Sequence, residues 1–70
     1  MIKAAKKALE TGNVNYVLSW VYKGGEKVIR EAFDKTTTVR MLGKKEAIEL
    51  ADLWFFETVV RIHREGEGTP

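Results

Sequence analysis

From Lys44 to Glu65 the apolar residues Ile48, Ala51, Phe55, Val59 and Ile62 recur at intervals of three and four. That spacing stacks them on one face of a helix. A second row, Leu53, Phe56 and Val60, and a third, Leu50 and Trp54, leave little of the circumference polar. Such a helix is expected at the centre of the fold, contacted from more than one side. Glu26 to about Arg40 shows a cleaner two-sided pattern, with Val28, Ile29, Ala32, Phe33, Thr36 and Val39 inside and Lys27, Arg30, Glu31, Asp34 and Lys35 outside. It predicts a surface helix with one buried face. Thr36-Thr37-Thr38 is β-branched, a run that predicts irregular last turns unless packing holds them.

Ile2 to Thr11 places Ile2, Ala5 and Leu9 on one face with Ala4 and Ala8 beside them, and it is built of strong helix formers. Gly12 follows as a left-handed stop, and Asn13 is placed to cap the next element. Val14 to Tyr22 fits two periods: Val14, Val17, Leu18 and Val21 suit a helix, whereas Val14, Tyr16, Leu18, Trp20 and Tyr22 alternate as in a strand. Valine and aromatics favour the strand. A lone strand has nothing to pair with, so a short helix is the expectation. Gly24-Gly25 and Gly43 mark the remaining breaks. The pattern as a whole predicts an all-α fold, a small bundle of about four helices around a central, largely buried C-terminal helix. Residues 1–65 are expected to form one helical domain and residues 66–70 a mobile tail.

With 70 residues and no cysteine, the chain has no disulfide to supplement its core and no thiolate to bind metal or act as nucleophile. A domain this short buries only about 60% of the surface that its unfolded chain exposes, which makes a second subunit, or more of the same protein outside this stretch, the expected supplement. Net charge is +2 from 12 basic and 10 acidic side chains, interspersed as on an ordinary solvated surface. Arg40, Lys44 and Lys45 form a small basic cluster before the central helix. The helix that would have to enter a DNA groove is too apolar for it, so nucleic acid is not expected as a partner. No apolar run approaches the roughly 18 residues of a membrane span, and the first residues lack the apolar stretch of a signal peptide. As written, the chain looks cytoplasmic, with no membrane partner.

No residue set amounts to a reaction mechanism, no cofactor motif is present, and the chain reads more as a non-enzyme than an enzyme. His63 is the only histidine, the residue type that could switch charge near neutral pH. It is a candidate metal ligand, with Glu57 and Asp52 as helpers, although Glu57 and His63 are not spaced to chelate one ion from one helix face. Glu57 and Arg61 stand at i, i+4 in the order that favours an ion pair. Glu46, Glu49 and Asp52 put acid in the first half of the central helix, where it suits the macrodipole. Tyr16, Trp20, Tyr22 and Trp54 carry large rings with one polar atom, the common anchors of protein contacts, and Leu50 shares a row with Trp54; Tyr16, Trp20, Leu50 and Trp54 are the candidate interface residues. Trp54 is expected to be buried, either between subunits or between the central helix and Val14 to Tyr22.

Three segments, Ala4 to Val21, Glu31 to Gly43 and Glu49 to Pro70, resemble an uncharacterised family of small prokaryotic proteins, a domain of unknown function. ALETGNVN and WFFETVVRIHREGEG are the most specific words. The resemblance implies no known activity. Members often begin upstream with a secretion signal, a His-Cys-Asp-Thr stretch and a Gly-Pro, and they continue past the position of Pro70. By that resemblance the chain would be the helical middle of a longer protein or a short relative, and a longer parent could be exported. It also implies that a His-Cys-Asp segment could join His63 in a metal site. The functional expectation is a non-catalytic helical module that associates with itself, a dimer being favoured, or with another protein. The alternative is a metal- or small-ligand-binding domain using His63 and completed by residues outside this chain.

Overall fold

The computed structural model of the chain describes residues 1–67. It is all-α, with α1 (Ile2–Thr11), α2 (Asn15–Leu18), a 3-10 turn at Lys23–Gly25, α3 (Glu26–Met41) and α4 (Lys45–Gly66). α3 and α4 form an antiparallel hairpin and make the largest contact in the fold, while α1 and the 3-10 turn also pack on α4. α4 runs one residue past the expected end at Glu65. The remainder of the tail, residues 68–70, lies outside the described residues.

The core is the meeting of four short stripes. Ala5, Ala8 and Leu9 come from α1, Val17 from α2, Ile29, Ala32 and Phe33 from α3, and Phe55, Val59 and Ile62 from α4. Phe33 and Phe55 meet edge to face with their centroids 5.8 Å apart, the geometry that ring quadrupoles favour. The expected inner faces of α1, α3 and α4 are thus the observed ones in part: Val39, Ile48 and Ala51, also expected inside, are only half-buried, and α4 has no buried residue before Phe55. Ile2, at the start of α1, and Val28, in the first turn of α3, are both exposed.

α1 stops where the sequence says it should. Gly12 takes a left-handed φ of 76° and returns its N–H to the Ala8 carbonyl. The Asn13 side chain then accepts the Asn15 N–H at 3.0 Å, which holds the first turn of α2. α2 is only one turn long, much shorter than the expected helix over Val14 to Tyr22, and no strand forms there. Beyond Leu18 the chain continues through a tight bond from the Trp20 N–H to the Val17 carbonyl and becomes extended at Tyr22. The cause is tertiary. Only Val17 of this stretch is fully buried, and the chain must then descend along α4 rather than continue as a helix. It makes that approach at Gly25, where a Cβ would overlap the Ile62 side chain.

The threonine run does not distort α3, which stays helical through Met41. Thr37 and Thr38 both donate to the Asp34 carbonyl, at 3.0 and 2.9 Å, so their hydroxyls are satisfied within the helix. Thr36 faces α4 and is buried, and its hydroxyl has no partner. A single tie outside the core fixes the hairpin: Arg40 Nη1 donates to Asp52 Oδ2 at 2.6 Å. Asp52 therefore serves the α3–α4 contact rather than the helix dipole alone.

Of the two places expected for Trp54, a subunit contact or a contact with Val14 to Tyr22, the fold does not supply the second: the ring is 45% exposed and lines the α3–α4 seam with Thr36 and Val39. At 3.6 residues per turn it lies about 100° from Phe55, and Leu50 lies about 140° from it, so neither points at the core.

Candidate functional site

Along the side of α4 that faces away from the core, Leu50 is 69%, Leu53 57% and Trp54 45% exposed. Two shallow depressions flank this row. One, of 540 Å³, is floored by Leu53, Phe56 and Val60, closed at one end by Ile2 of α1, and rimmed by Glu57, Arg61, Arg64 and Glu65. The other, of 420 Å³, lies in the α3–α4 seam between Leu50, Ala51 and Trp54 on one side and Thr36 and Val39 on the other. Both are open to solvent and their floors are hydrocarbon. Chemically they suit an apolar partner surface, since they converge no set of groups able to transfer protons or hold a reacting atom.

The four candidate interface residues fall in three different surroundings. Leu50 and Trp54 share the seam depression. Trp20 stands edge-on to His63 with the rings 6.2 Å apart, and the Tyr16 ring lies under the Lys7 ammonium at 4.8 Å. Trp20 and Tyr16 are both partly exposed, yet each already has a neighbour that holds its ring. Leu53 was not singled out in advance as an exposed residue. The signal for it was present: it stands between Leu50 and Val60 on the side of the helix wheel opposite Phe55.

His63 is anchored. Its Nδ1–H donates to the Trp20 carbonyl at 2.5 Å, because a carbonyl can only accept, and this fixes the tautomer of the neutral ring. Nε2 is left facing Glu67 Oε2 at 3.5 Å. The structure does not bring Glu57 to His63: Glu57 lines the depression beside Ile2. Nor does the expected Glu57–Arg61 pair form, because Arg61 turns the other way and bonds Glu65 at 3.1 Å. Asp52 is taken by Arg40, one of the three cations of the basic cluster, which leaves Lys44 and Lys45 exposed. Among the described residues no three His, Cys, Asp or Glu side chains converge as a metal-holding group. Glu67, the carboxylate nearest the imidazole Nε2, had been counted with the tail.

Among the described residues no helix is long and apolar enough to cross a membrane. Fold and surface together define a small all-α protein whose longest helix keeps an apolar face outside its own core. The chain belongs to a family of unknown function (DUF6448), whose model matches residues 1–70. No curated protein and no solved structure matches it significantly.

Proposed function

We propose that this protein is a non-catalytic helical module that works by association through the outer face of α4, with a second copy of itself as the favoured partner. The observation that carries the reading is the exposed row of Leu50, Leu53 and Trp54 along one side of a helix of about six turns, flanked by two apolar depressions. Large apolar side chains scattered singly need no explanation, but a contiguous row of them marks an interaction surface. Covering each half-exposed side chain contributes about 1–2 kcal/mol, and a twofold interface counts each one twice. Nucleic acid and membrane are not partners in this reading, because the row is neither basic nor flanked by a basic stripe. Sedimentation or light scattering tests it. A dimer mass at micromolar concentration is expected, and a monomer mass at every accessible concentration would refute self-association.

A second reading rests on His63. Metal-binding imidazoles characteristically hold their second ring nitrogen on a carbonyl or carboxylate, as His63 holds Nδ1 on Trp20. In this reading Nε2 takes the ligand with Glu67 beside it, and residues outside this chain complete the site. Binding of zinc or another divalent ion that disappears in His63→Ala supports it. No difference between the two proteins in metal content would end it.

A further inference from the structure

The face of α4 that points away from the core has its own periodicity. Glu46, Leu50, Leu53, Glu57, Val60 and Arg64 follow one another at alternating steps of four and three. That is the spacing of a helix–helix seam, in which alternate positions meet the partner helix in successive layers. Five of the six are exposed and Val60 is half-buried. The seam is apolar in the middle, apart from Glu57, and charged at the ends, with acid at the start and base at the finish. Among the described residues neither Glu46 nor Arg64 has an ion-pair partner within the chain.

We infer that α4 pairs with α4 of a second copy, antiparallel, about a twofold axis close to Trp54 and Phe56. This inference rests on the self-association proposed above and specifies its geometry. Running the seam against itself in that direction sets Glu46 against Arg64 of the second copy, Leu50 against Val60, and Leu53 against Glu57. Each layer occurs twice by symmetry. Trp54 of the two copies meet on one flank of the axis and Phe56 of the two copies on the other. Both salt bridges sit at the ends of the seam, the two apolar Leu50–Val60 layers lie inside them, and the two Leu53–Glu57 layers flank the axis. The antiparallel direction also brings the positive end of each helix to the negative end of the other. A parallel pairing would set Glu46 against Glu46 and Arg64 against Arg64, with like charges at both ends. Glu57 leaves one charge beside each Leu53, a polar position of the kind that fixes register at a cost in stability.

Charge reversal at the seam ends tests the geometry separately from the association. The proteins to compare are the unmodified chain, Glu46→Arg, Arg64→Glu and the double variant, each measured for dimer dissociation constant by sedimentation and for helicity by circular dichroism. Each single variant should weaken the dimer about tenfold by creating two like-charge layers, and the double variant should return to within about threefold of the original. Each reversal also opposes the helix dipole, so a merely structural effect would be largest in the double variant, and recovery there belongs to the pairing alone. A dimer whose strength is the same in all four proteins, or that the double variant fails to restore, overturns the antiparallel register while leaving self-association standing. A monomer in the unmodified chain overturns the association itself.

Discussion

The two sides of α4 are made of the same kinds of residue and meet opposite fates. Phe55, Val59 and Ile62 are buried, while Leu50, Leu53 and Trp54, drawn from the same few turns, stay between 45% and 69% exposed. Hydropathy does not separate them. What separates them is supply: α1, the 3-10 turn and α3 make the main contacts with α4, Trp20 bonds it at His63, and together they leave Leu50, Leu53 and Trp54 partly in solvent. A helix that is apolar nearly all round therefore leaves part of its apolar surface outside the core of so small a chain. Inner and outer faces are thus expected to respond differently to the same kind of mutation.

The largest effect belongs to the inner face. Phe55→Ala removes the ring that packs against Phe33 in the centre of the core and should cost about 3–5 kcal/mol. A chain of this length has on the order of 4–10 kcal/mol in total. The variant should accordingly be mostly unfolded or melt far below the parent, as read by circular dichroism. A melt within a few degrees of the parent would mean that Phe55 is not the core residue described here.

Between the two faces lies Asp52, whose side chain is 23% exposed and which ties α4 to Arg40 of α3. Asp52→Ala strands a partly buried guanidinium and should cost about 2 kcal/mol, with denaturant titration as the measurement. Arg40→Ala should cost a similar amount, and the double variant less than the sum of the two. Strict additivity would show that the pair contributes nothing as a pair.

The smallest effect on the fold is expected at the outer face. Trp54→Ala should change the stability of the isolated chain by less than about 1 kcal/mol, since the ring is already 45% exposed and leans only on the α3–α4 seam. Its effect should appear instead in the mass at high concentration, as weaker association. Should the melt fall as far as for Phe55→Ala, the contrast between the faces would collapse and Trp54 would belong to the core after all.

Much of this was readable in the chain. The three long helices, the residues that fill their inner faces and the stop at Gly12 follow from local rules, because period and glycine conformation are properties of neighbouring residues. The stretch from Val14 to Tyr22 was not readable in the same way. Its two periods compete, and the outcome of one helical turn followed by a descent past Gly25 depends on Ile62, which lies far along the sequence. The candidate site divides along the same line. His63 was visible as a lone titratable group, but its carbonyl partner at Trp20 was not, and Glu57 was tied to Arg61 by spacing when the side chain of Arg61 had an equally spaced alternative in Glu65.

By itself, then, the sequence determined the class of the fold, the inner stripes and the presence of more apolar surface on α4 than a chain of 70 residues can cover. Only the tertiary structure decided which part of that surface was left over. Leu50 and Trp54 are as apolar as Phe55, and no local rule ranks them. The ranking comes from where α1, α3 and the 3-10 turn come to rest, which is set by packing across the whole molecule.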